Sequence, residues 1–386
     1  MRILHLLSCR GWSSDAYWAA RMTQELTRRG HTVTLGCRAG TQAQVIERAR
    51  KIGVERIVTF GFAGGVSPVT DAADVRQLGR WLADTDVVHV HRGKEHWLAA
   101  VANGLSRRPR PLVRTRHIAQ AVRPHAANRW LYRRATALTL TVTEAIRRQY
   151  IAAGLLAPED VVTLPGGADV DAYAPGPGSA AVRASLGAVD ATPLVGLVGG
   201  LRVMKGHRVV VEAAVRLAAR GLRPHFAFVG RGSMEAEIRR AIERHGLGGQ
   251  FTLTGFVPDL ATLLPSFDIA LYVPLESDGM SRVVFEYLAA ARALVASRVG
   301  VVPEVLEDGE HALLVPAGDA DALAEGIARL LLDRPLRARL EEAGRRLVLE
   351  RFSGARLAAT LETHYIRISR GATAPPGRPE PSRRAR

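Results

Sequence analysis

Lysine is nearly missing from this 386-residue chain: of 53 basic residues, only Lys51, Lys94 and Lys205 are not arginine. The net charge of +16 is therefore partly a habit of composition, and charge alone does not make a nucleic-acid-binding protein. Aromatic residues make up 5%, too few to interleave with arginines as a stacking surface for bases. No nucleic-acid-reading motif is present, so nucleic acid is not expected as a partner. Cysteine is limited to Cys9 and Cys37, which excludes a disulfide scaffold and leaves a reduced, cytoplasmic protein as the expectation. No apolar run is long enough to span a bilayer, and the opening run, residues 1–7, is too short for a signal peptide. One segment lacks acids: between Glu95 and Glu144 there is none, but nine arginines. They are Arg107, Arg108, Arg110, Arg114, Arg116, Arg123, Arg129, Arg133 and Arg134.

Length predicts two domains of roughly 150–200 residues each, and the charge divides along the same line. Residues 1–185 hold 26 Lys+Arg against 14 Asp+Glu, whereas residues 186–370 hold 23 against 22. A basic first half points to an anionic partner there: a membrane surface, a phosphorylated acceptor or nucleic acid. The plain alternative is the arginine-rich habit already noted.

Both halves alternate strand-like and helix-like runs, the pattern of parallel α/β sheets. The first half opens with a strand over 2–7, a turn containing Gly11 and Trp12, a helix over 16–29 ended by Gly30, and a strand over 31–35. Two later strands end in histidine, at His91 and at Arg116-His117. Strand carboxyl ends face the crevice in which such sheets bind ligands. Residues 173–179 have the composition of a linker. The second half restarts at a strand over 193–198, followed by Gly199-Gly200-Leu201-Arg202-Val203-Met204-Lys205-Gly206. Glycines let backbone approach a diphosphate, and Arg202 and Lys205 can balance its charge. Gly230-Arg231-Gly232 lacks the third glycine of a dinucleotide fingerprint and is discounted.

A strand over 268–273 then leads through Asp278, Gly279, Met280 and Ser281 into an Ala-rich helix carrying Glu286, so seven residues separate two acids across a strand-to-helix turn. Amides near that helix start can donate to an anion, and Glu286 can accept two hydrogen bonds from a vicinal diol such as a ribose. A further strand starts at Phe251 and ends near Val257.

These motifs, in this order, resemble glycosyltransferase family 4 over about residues 1–369. Asp278 stands where the family usually has Glu, Gly200 where it has Arg, and Gly166 where it has Asn. The resemblance implies a GT-B fold: two Rossmann-like doubly wound α/β domains facing across a cleft. The expected parts are an acceptor-side domain (1–175), a linker (176–190), a nucleotide-sugar domain (191–352), a helix crossing back (353–370) and a disordered tail (371–386). The implied activity is a retaining, metal-independent transfer of a sugar, with no cofactor beyond the nucleotide-diphosphate sugar as co-substrate. The implied acceptor is a glycan or lipid-linked glycan of the cell envelope, such as lipopolysaccharide, reached from the cytoplasmic face, with an anionic membrane as a further partner.

The same resemblance implies the roles. Gly199, Gly200, Arg202, Lys205, Gly279, Met280 and Ser281 face the phosphates, Glu286 the ribose, Val257 the base, and Asp278 and His117 the sugar. His117, Asp278, Lys205 and Arg202 are the catalytic candidates. Gly11, Trp12, His91, Arg116 and His117 lie on the acceptor side. Two rivals stay open: a GT-B relative without transfer activity, such as an epimerase or degenerate scaffold, and a basic nucleic-acid-binding protein.

Overall fold

The computed structural model describes residues 1–189, 191–277, 279 and 281–371. Asp190, Asp278, Met280 and the tail from 372 lie outside the described residues, and with them the expectations for the two acid-loop residues and for the tail.

Among the described residues, thirteen parallel strands form two sheets. The first runs through β1 (Arg2–Leu7), β2 (Thr32–Arg38), β3 (Ile57–Phe60), β4 (Val87–Val90), β5 (Leu112–Arg116), β6 (Leu138–Thr141) and β7 (Val161–Thr163). The second runs through β8 (Leu194–Val198), β9 (His225–Val229), β10 (Phe251–Gly255), β11 (Ile269–Tyr272), β12 (Ala293–Ser297) and β13 (Leu313–Val315). Their orders are β3-β2-β1-β4-β5-β6-β7 and β10-β9-β8-β11-β12-β13. Both orders reverse between the first strand of the sheet and its next inner neighbour, β1/β4 and β8/β11. At such a switch point the outgoing loops diverge and open a crevice. Continuous apolar runs such as residues 294–296 form these strands because helices cover both faces.

The chain crosses between the domains twice, and the two crossings touch. Ala168 N–H donates to the Phe352 carbonyl at 3.1 Å, and Gly354 N–H donates to the Ala168 carbonyl at 3.2 Å. Gly167 makes this approach possible, since a Cβ there would sit 2.1 Å from the Phe352 oxygen. The final helix, Gly354–Gly371, then places Leu357, Ala358, Leu361 and Tyr365 in the core of the first domain.

Within the expected linker, residues 176–189 carry defined structure. Ala180–Ser185 is a helix capped by Ser179. Arg183 pairs with Asp268 at 2.9 Å, and Leu186 and Ala188 join the core of the second domain. Cys9, just after β1, and Cys37, on β2, are free, buried thiols, each pushed up to about 12 chiefly by burial. No described helix is long and apolar enough to cross a membrane.

Candidate active site between the domains

On the second domain, the two glycine-bearing loops are built against one another. Gly206 has φ +74°, and a Cβ there would lie 1.9 Å from the Val273 carbonyl oxygen, so only glycine lets the Lys205 loop reach the end of β11. Leu275 N–H donates to the Met204 carbonyl at 2.8 Å and fastens the same two loops. Lys205 is half-buried, with its ammonium 6.0 Å from the centre of the Tyr272 ring. Tyr272 in turn meets the Ser281 hydroxyl, Oη to Oγ 2.5 Å. Arg202 is exposed and lies beside Gly200, where a Cβ would be 3.5 Å from its Nε. Gly199 N–H donates to the Val229 carbonyl, tying the phosphate loop to β9.

The helix Arg282–Ala289 starts at Ser281, a non-glycine residue in the left-handed region at φ +51°. Its Tyr287 hydroxyl accepts from Val198 N–H at 2.7 Å, so the helix holds the end of β8 in place. Glu286, on the same helix, has no solvent exposure. Arg282 Nε approaches its Oε1 at 2.9 Å and the Tyr173 hydroxyl interacts with the carboxylate, yet neither oxygen has a well-aligned hydrogen-bond donor among the described residues. Val257 is half-buried at the edge beyond β10.

His117 faces this apparatus from the first domain. A Cβ on Gly279 (φ +86°) would come within 2.5 Å of the His117 carbonyl oxygen, so the acid loop meets the His117 backbone across the cleft. The His117 ring is buried, and burial first of all lowers its pKa to about 3, so the imidazole is neutral. Nearby, Arg92 Nε donates to Asp15 at 2.6 Å. Burial works to raise the Asp15 pKa, but the Arg92 hydrogen bond and charge outweigh it and hold the carboxyl at about 2.

The other acceptor-side candidates spread around this point. His91 is buried behind His117, Nδ1 to Nε2 3.2 Å, rather than beside it at the surface. Arg116 donates to the Gln120 carbonyl and borders a separate recess with Trp97 and His125. Gly11 has open space where a Cβ would be, so no contact requires glycine there. Trp12 lines a depression of about 490 Å³ with Arg10, Arg38, Arg92 and Lys94.

Residues 16–172 match Glycosyltransferase Family 4, and residues 179–347 match Glycosyl transferases group 1. Side by side along one chain, the two matches mark a glycosyltransferase of the family 4 type. Among its relatives is the phosphatidyl-myo-inositol mannosyltransferase of Mycolicibacterium smegmatis, 28% identical over 82% of this chain and 81% of that protein. The alpha-D-kanosaminyltransferase of Streptomyces kanamyceticus is 30% identical over 166 residues, 43% of each chain, so less than half of that relative is matched. Anabaena Alr3699/HepE, solved in complex with UDP, superposes with TM-score 0.80 at 19% identity, over 95% of this chain and 100% of that one. The fold is GT-B.

Several parts of this family 4 cleft escaped the sequence reading. Arg282 lies 4.4 Å from the centre of the Tyr17 ring, joining the domains through a cation on a ring face. Its signal was available: four residues before Glu286 on one helix is salt-bridge spacing. Gly230-Arg231-Gly232, discounted as a fingerprint, shapes the phosphate loop instead. A Cβ on Gly230 would strike the Gly199 carbonyl at 2.0 Å, and one on Gly232 the Leu201 carbonyl at 2.1 Å. Glu304 also binds across the domains, accepting from Glu144 N–H at 2.6 Å and Ala145 N–H at 3.0 Å. No local sequence pattern marks that contact.

Proposed function

We propose that the protein transfers a sugar from a nucleotide-diphosphate sugar to a glycan or lipid-linked acceptor, with retention of anomeric configuration and without a bound metal. Glu286 is the observation that carries the reading. A fully buried carboxylate, on the helix that follows the loop fastened to the Lys205 turn, lacks a well-aligned donor among the described residues. A buried acceptor without a donor is costly, and a ribose diol brings two hydroxyl donors to it. Transfer must break the bond between sugar and diphosphate, and Lys205 and Arg202 supply fixed positive charge where negative charge develops on the leaving group. The metal-free reading rests on those two cations, and the retaining outcome on family membership. His117 and Asp278 face the sugar in this scheme, and no side chain serves as a covalent nucleophile.

Two features support an acceptor at the inner face of an anionic envelope membrane, such as a lipopolysaccharide intermediate. Arg107, Arg108, Arg123, Arg129, Arg133 and Arg134 are exposed, and so are Leu105, Ile118 and Trp130 on neighbouring segments. Arginines with apolar anchors suit an anionic leaflet, each cation contributing about 1 kcal/mol. Buried Arg114 belongs to the interior rather than to that surface.

Calorimetry with UDP, GDP and ADP, with and without EDTA, tests the donor half; UDP comes first because a fold neighbour was solved with it. Lys205→Ala and Glu286→Ala should each weaken the nucleotide by about 1.5–3 kcal/mol, the worth of a charge-assisted hydrogen bond. Nucleotide affinity unchanged in both would remove the donor site. Proton NMR of the product's anomeric signal decides retention. Binding with neither transfer nor donor hydrolysis would favour a non-transferring relative.

A further inference from the structure

One face of the first sheet carries His5, His89, His91, Thr115 and His117, because residues two apart on a strand share a face and His5 pairs in register with His89. The final helix lays Tyr365, fully buried, on the same face. Their polar atoms form a single file. Thr115 Oγ1 meets His89 Nε2 at 2.6 Å, and His89 Nδ1 meets the Tyr365 hydroxyl at 2.5 Å. That hydroxyl meets His5 Nε2 at 3.1 Å, and His5 Nδ1 meets His91 Nε2 at 3.4 Å. His91 Nδ1 meets His117 Nε2 at 3.2 Å. At the end, His117 Nδ1 is buried and has no partner among the described residues. The nitrogens of His5, His89 and His91 lie within 4.8 Å of one another, close enough to suggest a metal. All six of those ring nitrogens are already engaged within this file.

Each neutral imidazole offers one N–H and one lone pair, and each link needs one hydrogen. Six hydrogens serve five links, so three arrangements exist: the hydrogen left over belongs to Thr115, to Tyr365 (whose oxygen then accepts from both His89 and His5) or to His117. Burial keeps all four rings neutral, His5 and His117 near 3 and the other two well below the ordinary value. Two buried hydroxyls choose among the arrangements: Tyr365 has no hydrogen-bond partner outside the file among the described residues, so its O–H must stay within the file, and Thr115 is in the same position. Its hydroxyl is buried, and its one hydrogen-bond partner among the described residues is His89. If it accepted from His89, its own O–H would be a buried orphan donor; if it donates, only spare lone pairs remain.

We infer that Thr115 donates and that the hydrogens run from it to the cleft, placing the His117 hydrogen on Nδ1. His117 then presents a hydrogen-bond donor, waiting for a sugar oxygen. Thr115, His89, Tyr365, His5 and His91 are positioning residues that act through His117. This inference rests on His117 facing the sugar. Because the helix Gly354–Gly371 supplies Tyr365, a segment that enters from the second domain helps set the polarity of a group in the cleft.

Two-bond proton–nitrogen correlation spectra of protein labelled with nitrogen-15 histidine, without substrate, show which ring nitrogen carries hydrogen. His117→Gln identifies the signal. The expected form is Nδ1–H in the native chain. Thr115→Val and Tyr365→Phe should give mixed or reversed tautomers and lower kcat about tenfold, leaving affinity for the free nucleotide unchanged, whereas Thr115→Ser should behave as native. An Nε2–H form in the native protein would overturn the inference, and that measurement stands even if either variant fails to fold or the chain proves not to transfer sugars. An Nδ1–H form that persists in both variants would overturn it too. A shifted tautomer with unchanged kcat would remove the positioning role.

Discussion

The buried imidazoles make the first domain acid-labile well above the range in which carboxylates protonate. His5 and His117 are held near 3, and His89, His91 and His96 well below the ordinary value, in each case chiefly by burial. In the unfolded chain these rings titrate near 6.5. Since their folded values are depressed, the unfolded chain takes up protons below pH 6.5 that the folded chain refuses. Their stabilising effect is whole above that pH and is lost as pH falls. One such proton changes stability by about 1.4 kcal/mol per pH unit, so His5 and His117 alone give about 3 kcal/mol per unit near pH 5. The other three rings act in the same direction. Glu95, pushed up by burial, acts against them and is a single group. A domain stabilised by about 5–15 kcal/mol should therefore unfold near pH 5. All five tryptophans, Trp12, Trp18, Trp81, Trp97 and Trp130, belong to the first domain. Urea unfolding followed by their fluorescence, from pH 7.5 down to 5, isolates that domain. A midpoint that stays constant between pH 7.5 and 5.5 would refute the reasoning.

Gly279→Ala should cost roughly 1–2 kcal/mol of backbone strain and force the acid loop off His117; slower transfer and a larger radius of gyration by X-ray scattering are expected, and unchanged scattering with full activity would contradict the contact. Glu304→Ala removes a carboxylate from the start of the helix Glu144–Ala152, a loss of about 1–3 kcal/mol between the domains; hydrogen exchange at residues 144 and 145 should accelerate, and unaltered protection there would deny the clasp. Asp278→Glu should change the choice among donor sugars more than the affinity for free nucleotide; equal effects on both would remove Asp278 from the sugar. Replacing Arg129, Arg133 and Arg134 with Ser should weaken flotation with anionic vesicles and spare nucleotide binding. About 0.5 M salt should release the native protein by screening. Vesicle binding that survives the triple change would favour composition habit over a docking surface.

The alternation of apolar runs and glycine turns was enough to read two parallel α/β units, because such strands are buried on both faces and their hydrophobic runs are continuous. Motif order was enough for the family. Lys205 stood out because it is a rare lysine in an arginine-rich chain, and Glu286 because its distance from Asp278 crosses a strand-to-helix turn. What distance along the chain conceals was left to the tertiary structure. Arg282 meets Tyr17 and Glu304 meets residue 144 only because the domains face one another. Glycines 206, 230 and 279 read as turn residues, yet each is required by a carbonyl from another segment that leaves no room for a Cβ. His91 and His117 both read as strand-end histidines facing the crevice, with only His117 assigned to the sugar. The fold separates them, His91 behind and His117 in front, because neighbouring strands bring their side chains into file. Tyr365 carried no signal at all in sequence, since its role depends on where a helix that begins in the second domain comes to rest on the first.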